Sequence, residues 1–338
     1  LAEAAGRGVE VRLLVDGFGG GQFARRLVHD LGVHGAQVRI YRPERWWRLE
    51  RKLLRRLHRK IAVIDEQLAF VGGINIIDDH DMPPHARGRL GPRFDFAVAC
   101  AGPIVQPITV AVRRLWWTLA FVDLRGRAGP LPTMRRTAHQ PPVAGGAAAS
   151  LVLRDNLRNR RAIERAYLEA FDTARHEVVI ANAYFLPGRR FRAALLAMAA
   201  RGVRVRLLLQ GQPEYPLQFH AQRALYGQLL AGGIEIDEYV ASYLHAKVAV
   251  VDQRWATVGS SNIDPYSLLL AREANVIVHD PGFARQLAGV LEEAITHQAH
   301  RIAPPEYERR GWIARARDWC AYFVVRLATV VLARGQDY

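Results

Sequence analysis

The sequence predicts an α/β protein made of two pseudo-symmetric α-β-α domains, with a candidate active site at the interface between them. Residues 57–76 return without a gap at residues 244–263, with 11 of 20 positions identical, which indicates an internal duplication. Within each half, short apolar runs rich in β-branched residues alternate with helical patterns. A segment rich in Gly, Pro and Ala, residues 124–150, separates the halves and is the predicted linker.

Length and charge limit the class of protein. A chain of 338 residues is long enough for two domains with their own cores, predicted over residues 1–123 and 151–310. The formal net charge of +15 implies an anionic partner, which could be nucleic acid, an anionic membrane surface or a phosphorylated substrate. Cys100 and Cys320 lie far apart without metal-like spacing, so the sequence predicts no disulfide framework and a reducing compartment.

The first half begins with the end of a helix at Gly6, and a strand over residues 9–16 follows. A helix over residues 23–31 and a strand over residues 37–41 come next. In the second half, residues 200–209 match the helix end and the strand that open the first half. A helix and a strand that the first half lacks precede them, and the chain opens with Leu1 rather than Met. Either a strand and a helix were lost from the front of the first half, or they precede Leu1, and we expect the second.

A basic aromatic segment, residues 45–56, stands just before the first repeat. Trp at headgroup level and Arg reaching phosphates would suit a membrane interface, and a solvated basic face with inward-packed Trp is the alternative. After the repeat, the acidic and His-containing residues 78–85 are predicted to form a polar loop without a metal ion. A strand over residues 94–100 and a helix over residues 104–120 complete this half.

The second half shows the same alternation, with residues 200–209 matching the helix end and strand that open the first half, helices predicted over residues 162–173 and 221–231, and strands over residues 177–185, 234–239 and 273–278. The last of these strands is the counterpart of the strand over 94–100. The tail, residues 311–338, mixes aromatic residues with Arg and is too charged to span a membrane, which takes about 20 mostly apolar residues. An interfacial helix is predicted, and a helix packed on the second domain is the alternative.

Each repeat contains a short apolar strand that follows a His. Side chains alternate between the two faces of a strand, so His58 and Lys60 point the same way, as do His245 and Lys247. The chain has three lysines, Lys52 being the third, against 44 arginines. Because a compact ammonium differs from a planar guanidinium fork, the Lys in both repeats suggests a tight contact with phosphate oxygens.

An Asp ends each of these strands, and an Asn follows further on. Asp65 and Asp252 stand at odd offsets from their His and should face the other side of the strand unless a bulge intervenes. Direct contact between these two aspartates and the reacting atoms is therefore not expected. Asn75 and Asn262 occupy matched positions after a turn that contains Gly.

Two His, two Lys and two Asn can form one site only if the halves face each other. Phosphodiester transfer needs such a set, with a nucleophile, an acid for the leaving oxygen and cations around the phosphate. A neutral His can attack phosphorus, while the opposite His, protonated, donates to the departing alcohol. The phosphate oxygens would be held by Lys60, Lys247, Asn75 and Asn262.

The pattern His-x-Lys-x-x-x-x-Asp, present twice and followed each time by Gly-x-x-Asn, resembles the phospholipase D superfamily. Within it the chain is similar to the bacterial cardiolipin synthases of type B, and the similarity covers nearly all of the chain except the linker. The segments that carry it are residues 57–60, 69–75, 183–187 and 244–247.

This resemblance implies two phospholipase D-like domains and metal-independent transfer through a phosphatidyl-histidine, without a cofactor. The implied donor and acceptor are both phosphatidylglycerol, at the cytoplasmic side of a bacterial inner membrane, with the enzyme bound peripherally. The motif residues implied to be catalytic are His58, Lys60, Asp65, His245, Lys247 and Asp252. The carboxylates implied to orient the histidines are Asp95 and Glu273. The chain departs from the family in having Ala271 where Asn is frequent.

Two other functions remain open at this point. The same site could pass its intermediate to water, as a phospholipase D does, or cleave DNA. The paired Trp residues and the aromatic, basic tail favour a lipid substrate, and no obligatory nucleic acid is expected. A catalytically silent membrane-binding protein is the alternative from a different class.

Overall fold

The computed structural model describes residues 1–17, 21–42, 56–80, 88, 90–123, 145–155 and 159–333. The predicted α/β class with two related halves is confirmed. Nearly all of the basic aromatic segment and most of the predicted linker lie outside the described residues.

The strands form three sheets. The first half has β1 (Arg12–Asp16) parallel to β2 (Gln37–Tyr41), and the antiparallel set β3 (Lys60–Ile64), β4 (Leu68–Gly72) and β5 (Ala97–Ala101). The remaining strands are β6 (Ala148–Arg154), β7 (Glu177–Asn182), β8 (Arg204–Gln210), β9 (Glu235–Tyr239), β10 (Lys247–Val251), β11 (Trp255–Gly259), β12 (Glu273–His279) and β13 (Ala299–Arg301). These eight form one sheet in the order β13-β9-β8-β7-β10-β11-β12-β6.

The helices are α1 (Ala2–Gly6), α2 (Gly21–Gly32), α3 (Val105–Asp123), α4 (Ala162–Thr173), α5 (Arg189–Ala200), α6 (Pro216–Arg223), α7 (Tyr226–Ala231), α8 (Pro265–Leu269), α9 (Pro281–Gln298), α10 (Pro304–Glu308) and α11 (Trp312–Ala333). Pro residues at the first positions of α6, α8, α9 and α10 suit helix starts, where their missing N–H costs nothing. No helix among the described residues is long and apolar enough to cross a membrane.

The two halves share a strand plan. In the second half, parallel strands β7, β8 and β9 continue into the antiparallel strands β10, β11 and β12, because β7 pairs with both β8 and β10. In the first half, β1 and β2 correspond to β8 and β9, and β3 to β5 correspond to β10 to β12. The described residues of the first half contain no counterpart of β7, the strand that joins β8 to β10 in the second half. The strands of the first half therefore form two separate sheets.

A shared apolar core joins the halves. Ala69, Val71 and Ile108 of the first half pack with Val276 and Val278 of β12. Phe94 and Phe96 of the first half also pack on a core between the large sheet and α9. Burial of apolar surface contributes about 25 cal/mol per Å², so these contacts hold the halves in one orientation.

Three predicted boundaries differ from the observed ones. The helix predicted over 221–231 is two short helices, α6 and α7, because the chain turns at residues 224–225. Strand β6 begins at Ala148, so three residues of the predicted linker belong to the large sheet, where β6 pairs along the whole of β12. Strand β5 begins at Ala97, which leaves Asp95 just before the strand.

Candidate active site

The two motif histidines lie two residues before strands β3 and β10, at the interface between the halves. The His58 amide donates to the carbonyl of Arg272 at 3.0 Å, and the His245 amide donates to the carbonyl of Phe94 at 2.8 Å. The backbone of each motif therefore pairs with the other half of the chain, at parallel bridges that join Leu57 to Arg272 and Phe94 to Leu244.

Each imidazole binds a carboxylate from the opposite half. The Nδ1 of His58 lies 3.0 Å and 3.1 Å from the two carboxylate oxygens of Glu273, and the Nδ1 of His245 lies 2.6 Å from Oδ2 of Asp95. A carboxylate at Nδ1 favours the tautomer that carries its proton there. The Nε2 of each ring is then left with a lone pair for attack on phosphorus or for a proton.

Close backbone approach holds the two carboxylates in place. The Gly73 amide donates to the carbonyl of Phe96 at 2.8 Å, and a Cβ on Gly73 would lie 2.3 Å from an oxygen of Asp95. At the matching position in the second half, the Ser260 hydroxyl donates to Glu273 at 2.6 Å. The carbonyl of Ser260 also lies 3.1 Å from Nδ1 of His58.

Each motif lysine donates a hydrogen bond to the backbone of the histidine in the same motif. The Nζ of Lys60 donates to the carbonyl of His58 at 2.9 Å, and Nζ of Lys247 donates to the carbonyl of His245. Burial lowers the pKa of Lys60 to about 7 and that of Lys247 to about 8. Glu273 opposes the lowering at Lys60, while the positive charge of Lys247 adds to it. The charge of Lys247 therefore acts on Lys60 across the interface between the halves.

The electrostatics of His245 favour its neutral form. Burial lowers the pKa of His245 to about 3, the Lys247 charge lowers it further, and Asp95 opposes both effects. Its side chain is 11% exposed, whereas that of His58 is 29% exposed. A neutral imidazole is the form that attacks phosphorus or accepts a proton.

The two predicted phosphate-binding asparagines differ in burial. Asn262 is buried, and its Oδ1 has no hydrogen-bond partner in the described part of the chain. An unpaired buried acceptor of this kind favours a ligand that donates a hydrogen bond, because an unpaired buried polar atom costs free energy. Asn75 is half-buried and follows Gly73 by two residues.

The motif aspartates do not join the site, and their assignment to the catalytic set is corrected. Asp252 lies at the far end of β10, where its carboxylate accepts hydrogen bonds from the amides of Arg175, His176 and Glu177 at 2.7, 2.8 and 2.9 Å. Asp65 is exposed in the turn after β3, with φ of 51°. The strand alternation predicts this separation, and the observed role of Asp252 is to fix the start of β7.

Sequence reasoning missed two residues that anchor the motifs. An oxygen of Asp16, at the end of β1, accepts the Leu57 amide at 2.5 Å. Gln210, at the end of β8, accepts the Leu244 amide at 3.1 Å and donates to the Leu244 carbonyl at 3.2 Å. Aligning residues 7–17 with residues 201–211 could have matched these two positions.

The described residues contain no group of three His, Cys, Asp or Glu side chains able to hold a metal ion. Residues 81–87 of the polar loop, which include Asp81 and His85, lie outside the described residues.

Two related α/β halves with one His-x-Lys motif each, joined so that both imidazoles serve one interface, define a phospholipase D-like enzyme. The chain matches the family model described as "Cardiolipin synthase, PLD-like domain" over residues 1–80 and 167–295. It belongs to this family, as the resemblance of its motifs predicts.

Known proteins agree with this placement. Cardiolipin synthase B of Escherichia coli (strain K12) is 39% identical over 331 residues, which is 96% of this chain and 77% of the relative. Cardiolipin synthase B of Salmonella typhi is 38% identical over 334 residues, with the same coverage. The crystal structure of phosphatidylserine synthase from Haemophilus influenzae Rd KW20 shares the fold at 12% identity, with a TM-score of 0.64 and coverage of 98% of this chain and 92% of that chain.

Proposed function

We propose that this enzyme is a phosphatidyltransferase that moves a phosphatidyl group from one phosphatidylglycerol to a second, forming cardiolipin and releasing glycerol. The observation that carries the proposal is the pair of imidazoles, each bound at Nδ1 by a carboxylate of the opposite half. Relatives named cardiolipin synthase B support this substrate class.

The proposed reaction has two displacements. In the first, Nε2 of one imidazole attacks phosphorus, the bond from phosphorus to the glycerol oxygen breaks, and the second imidazole gives that oxygen its proton. In the second, a hydroxyl of the acceptor lipid attacks the phosphohistidine, the P–N bond breaks, and the second imidazole takes the proton. Each imidazole gains positive charge at some stage, which the facing Asp95 or Glu273 stabilises.

The lysines and asparagines bind the phosphate in this proposal. The Lys60 and Lys247 ammonium groups compensate the charge that grows on the non-bridging oxygens, and the amides of Asn75 and Asn262 donate to them. These donors are already in place, so little reorganisation is needed during the reaction. The proposal needs neither a metal ion nor another cofactor.

Exposed apolar side chains support a lipid substrate at a membrane surface. Ile74, Ile76 and Ile77 flank Asn75, and Ile76 is 85% exposed. Helix α11 exposes Trp312, Ile313, Trp319, Phe323, Val324, Leu327, Val330 and Val331. Exposed apolar clusters of this kind mark contact surfaces. With the net charge of +15, they favour peripheral binding to the anionic cytoplasmic face of a bacterial inner membrane.

The test is incubation of the purified protein with vesicles of labelled phosphatidylglycerol, followed by separation of the products by lipid class. We expect cardiolipin and glycerol. Phosphatidic acid alone would indicate a hydrolase, and cleavage of added DNA without lipid turnover would indicate a nuclease.

Variants connect the product to the site. His58→Ala and His245→Ala should each abolish cardiolipin formation, whereas His297→Ala, at an exposed position on α9, should leave it intact. Cardiolipin formation by either motif variant at the wild-type rate would contradict the proposed chemistry.

A further inference from the structure

A carboxylate that the proposed reaction does not use lies beside the His245 end of the site. Glu214 accepts a hydrogen bond from the Arg93 guanidinium at 2.7 Å through one oxygen and from the Tyr184 hydroxyl at 3.2 Å through the other. Its side chain is only 9% exposed. Arg93 also lies over the ring of Tyr243, 5.3 Å from its centroid.

Tyr184 and His245 lie on two neighbouring segments of the chain. Strands β7 and β10 are antiparallel with Asn182 opposite Lys247, and the Ala183 amide donates to the Ala246 carbonyl at 2.9 Å. Tyr184 and His245 are the residues that follow and precede this last bond. The hydroxyl that donates to Glu214 therefore comes from the segment that pairs with the histidine motif.

The segment that carries Asp95 fixes the other side of Glu214. The parallel bridge between Phe94 and Leu244 sets Asp95 beside His245 and Arg93 two residues earlier. Arg93 therefore links Glu214 to the segment that carries Asp95, the carboxylate that binds His245.

The negative charge of Glu214 raises the pKa of a lysine in the site. Burial lowers the pKa of Lys247, and the negative charge of Glu214 is among those that oppose this lowering. The side chain of Glu214 is therefore near enough to Lys247 for its charge to act on that group.

The Glu214 carboxylate can accept hydrogen bonds from hydroxyl groups, and its ion pair with Arg93 leaves no net positive charge there to attract phosphate. A carboxylate has about four lone-pair directions, and among the described residues Arg93 and Tyr184 take one on each oxygen. Each oxygen therefore keeps a direction for a hydroxyl donor. Tyr215, which is 56% exposed and packs edge-on against Tyr184 at 5.8 Å, adds an aromatic wall beside it.

We propose that Glu214 binds the hydroxyl groups of the neutral polyol headgroup of the acceptor, and so directs the second displacement to a lipid alcohol instead of water. The inference rests on the proposed phosphatidyl transfer. The bound hydroxyl attacks phosphorus, the new P–O bond forms as the P–N bond breaks, and the proton passes to the imidazole that is not phosphorylated. Glu214 binds and orients the acceptor and takes no proton.

The test is the ratio of cardiolipin to phosphatidic acid made from labelled phosphatidylglycerol by wild type and by Glu214→Gln. Both products come from one intermediate, so the ratio does not depend on how much folded enzyme is present. We expect the ratio to fall roughly tenfold, because a hydrogen bond to a charged group is replaced by one to a neutral amide. Added glycerol should compete with water less well in the variant by a similar factor.

Glu292→Gln is the matched control, because Glu292 also pairs with an arginine, Arg206, but on the exposed side of α9. Its product ratio should equal that of wild type. If Glu214→Gln yields neither product, the same ratio is measured for Tyr184→Phe, which removes the hydroxyl that donates to Glu214. We expect this variant to lower the ratio of cardiolipin to phosphatidic acid.

The two proposals fail in different ways. Wild type that forms phosphatidic acid without cardiolipin would overturn the proposed function. The role of Glu214 alone would be overturned if wild type forms cardiolipin and Glu214→Gln leaves the product ratio unchanged. If Glu214→Gln is inactive, an unchanged ratio in Tyr184→Phe has the same meaning.

Discussion

The two motif imidazoles have matched sequences but unequal surroundings. His58 is the more exposed ring and faces both oxygens of the fully buried Glu273. His245 is more enclosed and makes one short contact with Asp95. In the proposed reaction each ring carries positive charge at one stage, as a phosphoimidazolium or as an imidazolium. The carboxylate of the opposite half is what makes that charge tolerable in a buried site.

Asp95→Asn should lower kcat/KM for phosphatidyl transfer by roughly 10² to 10⁴-fold, the range for groups that orient and charge-stabilise a catalytic His. The physical reason is loss of the negative charge that opposes the lowered pKa of His245. The measurement is steady-state turnover of labelled phosphatidylglycerol. Asp30→Asn, at an exposed position on α2, serves as control. Wild-type kcat/KM in Asp95→Asn would show that the contact is dispensable.

The pH dependence of kcat/KM should reflect the deprotonation of the two motif lysines. Their pKa values are lowered to about 7 for Lys60 and about 8 for Lys247, so each is a cation below its pKa and neutral above it. Affinity for the anionic phosphate is therefore present at lower pH, and kcat/KM should fall as the pH rises through this window.

Lys60→Arg tests the origin of that falling limb, because a guanidinium keeps its charge to pH values above about 12. We expect a lower kcat/KM at neutral pH, since the planar group does not match the ammonium site, together with a limb displaced to higher pH. If kcat/KM of Lys60→Arg falls over the same pH range as in wild type, a group other than Lys60 causes the fall.

At the scale of secondary-structure elements, the turn after β4 must approach the segment before β5 closely. Gly73 lies against Asp95, while Ser260, its counterpart after β11, donates to Glu273. One half thus brings its carboxylate close by omitting a side chain, and the other half does so by a hydrogen bond. The glycines of the Gly-x-x-Asn pattern, Gly72 and Gly259, also have a steric basis, since a Cβ on them would lie 2.3 Å from the carbonyl oxygen of Phe96 and 2.2 Å from the side chain of Asn275.

Gly73→Ala should displace Asp95 and reduce activity by at least tenfold, because its Cβ would lie 2.3 Å from a carboxylate oxygen. Gly289→Ala is the matched control, since a Cβ there meets nothing within 4 Å and the residue lies inside α9. The control should keep full activity, with a Tm equal to or above that of wild type. Activity and thermal unfolding are measured for both, and full activity in Gly73→Ala would contradict the steric explanation.

Helix α11 has one face attached to the second half and another face exposed. Asp318 is buried on the attached face, where its carboxylate contacts Nδ1 of His220 at 2.9 Å and the Arg310 guanidinium at 2.5 Å. Ala321 is buried beside it. On the other face, Phe323 and Leu327 are 62% and 66% exposed. The attached face fits the alternative of a helix packed on the second domain, and the interfacial role of the exposed face stays a prediction.

For the whole molecule, the exposed face of α11 is expected to set membrane affinity. The double variant Phe323→Asp, Leu327→Asp should weaken binding to phosphatidylglycerol vesicles by roughly 100-fold, because burial of such side chains contributes about 1.5 to 3 kcal/mol each. The measurement is co-sedimentation with vesicles. Val33→Asp, at a residue that is 72% exposed in the turn after α2, is the control. Equal binding by the double variant and wild type would exclude α11 from the membrane contact.

Much of this architecture follows from local sequence. The duplicated motif predicted the two-half plan, because residues on equivalent strands repeat with their neighbours. Strand alternation separated His58 and Lys60 from Asp65, and the same rule separated His245 from Asp252. These are properties of a few consecutive residues, so they can be predicted without knowledge of the fold.

By itself the sequence determined the α/β plan, the family and the identity of the paired His and Lys residues. Only the tertiary structure decided that each imidazole takes its carboxylate from the opposite half, since Asp95 and Glu273 follow their asparagines by 20 and 11 residues and spacing does not fix their partner. The association of Glu214 with the His245 end was likewise invisible in the chain. Contacts between segments distant in sequence depend on how the sheets pack, and packing is a property of the whole chain.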